Sequence, residues 1–198
     1  MAGDANSEES LWIRQRLQQA QAAYASLGDD FLQKVVEATE MAVECLLNQG
    51  GIFLLGNGGS AADAQHWTAE LVGRYLHERE PLNVHALTVN SSTLTALVND
   101  YPAERLFERQ VRAHLKAGDL LVAISTSGQS ANVLRAVEAA KALGARTLAV
   151  TGRDGGKLAP ICDLAWVAPS ADTPRIQEMH LLFGHLWCEG IERRFVQD

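Results

Sequence analysis

Five short apolar runs, Ile52–Leu55, Val84–Leu87, Leu120–Ile124, Thr147–Val150 and Leu164–Val167, are separated by stretches whose apolar residues recur at helical spacing. Brief apolar runs bounded by glycine or polar residues predict strands. The stretches between them predict helices over about Ser60–Tyr75, Ser92–Val98 with Ala103–Leu115, Ala131–Leu143, a short piece near Lys157, and a last helix over Thr173–Phe195. Strands alternating with helices predict an α/β fold, a parallel sheet covered on both faces. Right-handed crossovers make that an open, doubly wound, flavodoxin-like sandwich, whose ligands bind beyond the carboxyl ends of the strands.

Ahead of the first strand, Leu11 to Asn48 is helical in pattern, with a break at Ser26–Asp30. Over Phe31–Leu47 the residues Leu32, Val35, Val36, Ala42, Val43 and Leu46 fall near helical period, with Thr39 on the same face, and Asn48–Gly51 stops the helix. The first segment is amphipathic and either covers its own sheet or packs on a partner. Residues 1–8 read as a disordered tail, and 9–198 as a single domain including the N-terminal helices. The net charge of −7 argues against a nucleic-acid surface, and three cysteines without CxxC spacing read as reduced thiols. The acidic start carries no secretion signal and no apolar run has membrane-spanning length, so the chain is expected in the cytoplasm.

Chemistry enters at the end of the first apolar run, Ile52-Phe-Leu-Leu-Gly-Asn-Gly-Gly-Ser60. Strand, glycine turn and helix start together form an anion-binding device, because backbone N–H groups face outward and glycine permits close approach. Such a turn also serves as a plain connector. In the helix that follows, Asp63, His66 and Glu70 stand at i, i+3 and i+7 and share one face. His66 and Glu70 can reach a single metal or substrate atom. Asp63 is either part of that group or a first-turn acid favoured by the helix dipole.

A second loop, Ile124-Ser-Thr-Ser-Gly-Gln-Ser130, again joins an apolar run to a helix. One hydroxyl there would be a helix cap. Four of them (Ser125, Thr126, Ser127 and Ser130) around Gly128 suit a phosphate ester instead. GxxxxGK[ST] and GxGxxG are both absent, which removes the nucleotide P-loop and lowers the case for a dinucleotide. The last helix opens Thr173-Pro-Arg-Ile-Gln-Glu-Met-His and offers Gln177, Glu178, His180 and His185. Gln177 and His185 are about 12 Å apart along such a helix. They share a ligand only by converging from both ends of their reach or across a subunit boundary. A histidine among Leu181, Leu182, Phe183 and Leu186 also reads as core or interface.

GNGGSAADAQHWTAELVGRY, VNDYP, GDLLVAISTSGQSANVL, Val150-Thr-Gly-Arg-Asp-Gly-Gly156 and TPRIQEMHLLFGH, in this order, resemble the sugar isomerase (SIS) domain family over nearly the whole chain from about residue 30. Within that family they are similar to the members that interconvert sedoheptulose 7-phosphate and glycero-manno-heptose 7-phosphate. The resemblance implies a five-stranded parallel sheet and a homotetramer with sites at subunit interfaces, making a precursor for lipopolysaccharide core or another heptose-containing glycan. It places the substrate on Asn57, Gly58, Gly59, Ser60, Glu70, Asn99, Asp100, Ser125, Thr126, Ser127, Ser130 and Gln177, and one zinc ion per subunit on His66, Glu70, Gln177 and His185.

The chemistry so implied is aldose–ketose isomerisation through an enediol, with Glu70 as base and His185 as acid. A carboxylate bound to zinc is a poorer base, so either Glu70 leaves the metal or another group such as Asp63 moves the proton. Asn90 departs from the family, where many members carry aspartate. Other relatives of this fold are binding proteins for the bacterial replication initiator. They lack the glutamate and histidine matched by Glu70 and His185, which favours the enzyme here.

Overall fold

A computed structural model describes residues 8–196. Two helices, α1 (Glu8–Ala25) and α2 (Asp29–Leu47), precede an alternation of β1 (Ile52–Gly56), α3 (Gly59–Val72), β2 (Val84–Ala86), α4 (Ser91–Asp100), α5 (Leu106–His114), β3 (Leu120–Ser125), α6 (Ala131–Ala142), β4 (Arg146–Gly152), β5 (Leu164–Ala168) and α7 (Thr173–Phe195). Short 3-10 turns at Ala103–Arg105 and Ala159–Ile161 complete it, the latter near the piece expected at Lys157. The tail expected over residues 1–8 lies, but for its last residue, outside the described residues.

The strands form one parallel sheet in the order β2-β1-β3-β4-β5. Every residue of β1 and β3 is buried, as continuous apolar runs with helices on both faces require. On one face α2, α3 and α7 bury Phe31, Trp67, Phe183 and Trp187. On the other, α5 and α6 bury Phe107, Val111, Val133 and Val137. The order reverses between β1 and β3, so the loops after these adjacent strands open on the crevice where such sheets bind ligands.

Two expectations about α2 are corrected. Its buried stripe is Phe31, Ala38, Thr39, Met41, Ala42, Val43 and Cys45, whereas Leu32 and Val36 are each 59% exposed. The helical period fits two adjacent faces, and α7 and the sheet take the one carrying Phe31. The stop is made by Gln49 at φ 59°, not by a glycine. Gly50 and Gly51 serve close packing instead, for a Cβ on Gly50 would meet Gly118 O and Cys45, and Gly51 N–H donates to buried Asp119. Helix α1 touches the core only near its end, through Ala23, and leaves Leu11, Trp12, Ile13 and Leu17 exposed.

Candidate active site

At the carboxyl end of β1 the chain turns through Asn57, Gly58 and Gly59 into α3. Gly58 has φ 55° and ψ −120°, a conformation open to glycine alone, and no side chain caps the helix that starts after it. The Ser60 and Ala61 N–H groups donate back to Asn57 O and Gly58 O, which leaves the Gly59 N–H for water or a ligand. Ser60 is buried beneath this turn. Gly59 is pressed by the Gln177 amide of α7, which a Cβ would displace. The Asn57 side chain exchanges two amide bonds, both 2.9 Å, with Asn132 in the first turn of α6.

The loop after β3 faces this turn. The Ser125 and Ser130 hydroxyls lie 3.2 Å apart, and Ser127 Oγ accepts the Gln129 N–H. Ser130 stands at the cap position of α6 but makes no capping bond, so the plain cap reading does not hold for it. Thr126 is half-buried beside them. Gly128, at φ 61°, lies against Gly155 and Gly156 of the loop after β4, and its carbonyl accepts the Leu158 N–H. Two uncapped helix N-termini and a cluster of hydroxyls thus stand on neighbouring strands, an arrangement suited to a phosphate ester.

Helix α7 runs alongside α3 in the same direction. Gln177 meets Gly59 at the start of α3, and His185 meets His66 two turns later, their rings 5.1 Å apart and edge to face. A Cβ on Gly184 would fall inside the Trp67 indole, which is what allows the helices so close. On α3, His66 Nε2 and Glu70 Oε1 are 3.0 Å apart. Tyr75 lies against His185, with ring centroids 5.9 Å apart. His66, Glu70 and His185 are all half-buried, and so reachable.

Asp63 lies beyond the first turn of α3, so the helix-dipole reading does not apply to it. Burial pushes its carboxyl up to about 6, against a smaller opposing pull from His66, and its buried Oδ2 has no hydrogen-bond partner. His180 is a core residue. It is fully buried, its Nε2–H donates to Thr151 O at 2.8 Å, and burial lowers its pKa to about 4 despite that bond. Glu178 pairs with Arg175. Asn99 and Asp100, at the end of α4, are both exposed, and the Asn99 amide donates to Asp100 at 2.8 Å. Asn90 caps α4 by accepting the Thr93 N–H at 3.0 Å, a task that asparagine performs as well as aspartate.

Asn132 and Tyr75 escaped the sequence reading. Asn132 lies within the SANVL run, where helix spacing gives it no visible partner, and Tyr75 looks like the ordinary end of a helix. Imidazole and carboxylate are ordinary zinc donors, and the Gln177 amide is the odd member of the set. Among the described residues, though, no group of three or more His, Cys, Asp or Glu side chains is arranged to hold a metal ion, and His66 is bonded to Glu70 instead.

The SIS domain profile matches residues 17–152. A phosphoheptose isomerase of Aliarcobacter butzleri is 52% identical over 172 residues, 87% of this chain and 91% of the relative. The structure of a phosphoheptose isomerase from Neisseria gonorrhoeae superposes with a TM-score of 0.87 at 42% identity, covering 91% of this chain and 97% of that one. One from Francisella tularensis gives 0.91 at 34% identity, over 94% and 100%.

Proposed function

This chain belongs to the SIS domain family, and from that premise we propose that it is a sugar-phosphate isomerase converting D-sedoheptulose 7-phosphate to D-glycero-D-manno-heptose 7-phosphate. The observation that carries the reading is the meeting of His66 and Glu70 on α3 with His185 on α7. The names of the relatives support the substrate class.

The phosphate sits on the hydroxyls of Ser125, Thr126, Ser127 and Ser130 and the free N–H groups of α6, and the sugar lies across Asn57–Ser60 toward α3. Glu70 takes the proton from C1 of the ketose and returns it to C2. His185 protonates the oxygen on C2 as the enediol forms, and it takes back the O1 proton as the aldehyde closes. Nothing is lost or gained overall, so both groups end as they began. Retention of both Glu70 and His185, each in contact with His66, favours catalysis over a purely binding role.

One zinc ion per subunit belongs to the proposal, with His66, Glu70, Gln177 and His185 as the residues that would hold it. For them to do so, the His66–Glu70 bond must give way. When bound, the metal would supply electrostatic stabilisation of the negative charge that develops on the substrate. We also propose a cytoplasmic homotetramer with interfacial sites, supplying lipopolysaccharide core or another heptose-containing glycan. Exposed Leu11, Trp12, Ile13 and Leu17 on α1 offer the apolar surface for assembly, and no helix among the described residues is long and apolar enough to cross a membrane.

The test is turnover of sedoheptulose 7-phosphate by metal-stripped protein, with and without added zinc, beside Glu70→Gln and His185→Asn. Zinc-dependent turnover lost in both variants is the expected result. A folded wild-type protein inactive with every metal tried overturns the reading for this substrate.

A further inference from the structure

Residues 73–83, between α3 and β2, form no helix or strand, yet they hold a buried charge pair that the reaction does not use. Glu192 lies on α7, two turns beyond His185. Its carboxylate accepts the N–H groups of Tyr75 at 2.7 Å, Leu76 at 2.7 Å and His77 at 3.0 Å. Arg79 Nε stands 3.6 Å from the same carboxylate, and both side chains are only 1% exposed. Arg79 Nη2 then donates to the backbone carbonyl of Glu70 at 2.9 Å. Burial works to push the Glu192 carboxyl up, but the three N–H bonds and Arg79 outweigh it and hold the group below its ordinary range, so it is an anion.

The contacts close a ring between the two helices that carry the proposed acid and base. Glu192 fixes Tyr75 by its backbone N–H, and the Tyr75 ring backs the imidazole of His185. Arg79 ties the last turn of α3, at Glu70, to the same carboxylate. For stability alone a well-packed apolar pair serves as well as a buried ion pair. What this pair adds is direction, since one of its bonds ends on Glu70 and another on Tyr75, the residue that touches His185. We infer that Glu192 and Arg79 are positioning residues, setting Glu70 and His185 at their working separation through the Tyr75 turn. The inference rests on reading Glu70 and His185 as the acid/base pair.

The experiment compares wild-type protein with Glu192→Gln, Arg79→Met and Tyr75→Leu. It reads kcat and KM for sedoheptulose 7-phosphate, the unfolding midpoint, and the ring resonances of His185 in 15N-histidine-labelled protein. The spectra are taken at one pH and in one metal state, with His185→Asn for assignment. A displacement near 1 Å at such a pair costs up to about 10²-fold in rate. Glu192→Gln and Arg79→Met are expected to lower kcat by roughly 10- to 100-fold with KM within about twofold, and to move the His185 resonances. Tyr75→Leu, at a half-buried position, is expected to move the same resonances with its unfolding midpoint unchanged. A merely structural bridge would lower the midpoint and leave kcat per folded molecule and the resonances alone, which overturns the inference. Should Glu192→Gln and Arg79→Met not fold, unmoved resonances in Tyr75→Leu overturn it by themselves. An inactive wild-type protein would sink the isomerase reading instead, while the resonances still decide the positioning.

Discussion

The Trp67 indole of α3 occupies the space that a Cβ on Gly184 of α7 would need. This contact lies beside the approach of His66 to His185, so the interhelix distance at the site is set by a missing side chain. A methyl group at Gly184 must push α7 away or move an indole that is itself fully buried. Overpacking of this kind costs typically 1–3 kcal/mol, so Gly184→Ala is expected to lose about that much in a urea titration. Its kcat should fall by more than its folded fraction does. Unchanged stability would mean that the two helices are free to separate.

The amide pair between Asn57 and Asn132 joins the glycine turn to the start of the serine loop's helix. Both bonds are solvent-accessible, so their net worth to stability is about 1 kcal/mol or less. Their value lies in holding two anion-binding elements at one spacing. Asn132→Ala is therefore expected to raise KM for a sugar phosphate by roughly fivefold while shifting the unfolding midpoint little. Steady-state kinetics beside a thermal melt distinguishes this from general loosening, which would move both.

How far these relations were legible in the sequence depends on how local they are. The strands were visible because buried parallel strands are continuous apolar runs, and β1 and β3 are buried throughout. His66 and Glu70 were visible as a pair because one helix fixes their spacing, and they bond at 3.0 Å. His185 was not, since its meeting with His66 depends on Gly184 fitting Trp67 across two helices. Leu32 and Val36 misled because periodicity names a face without saying what covers it. His180 and His185 looked alike in the last helix, and burial alone separates a core histidine from a reachable one.

The serine loop makes its own prediction. Ser130 spends its hydroxyl on Ser125 and leaves the first N–H groups of α6 uncapped. An anion bound there stabilises the folded state by mass action. Inorganic phosphate at millimolar concentration is expected to raise the unfolding midpoint of the wild-type protein. Ser130→Ala should reduce that rise and increase KM with kcat largely kept. Chloride at the same ionic strength is the control, and an equal rise with chloride would refer the effect to general screening.

Two groups shifted by burial, His180 and Asp63, give stability a pH dependence whose signs oppose. His180 is held at about 4, from an ordinary 6.5, by burial that its bond to Thr151 only partly offsets. Between those values the unfolded chain binds more protons, so stability falls as pH drops, by roughly 3 kcal/mol over the full window. Asp63 is raised from 3.8 to about 6 by burial, with His66 pulling weakly the other way. Its folded form binds more protons over that range, so its contribution is fully present below 3.8 and is lost as pH rises through about 6. Over pH 4.5–6 the two slopes offset each other. Urea unfolding across this window is expected to show a steeper loss toward acid in Asp63→Asn than in the wild type. His180→Gln, whatever its absolute stability, should lose less toward acid than the wild type or gain. Identical slopes in all three proteins would show that neither group titrates in its buried position.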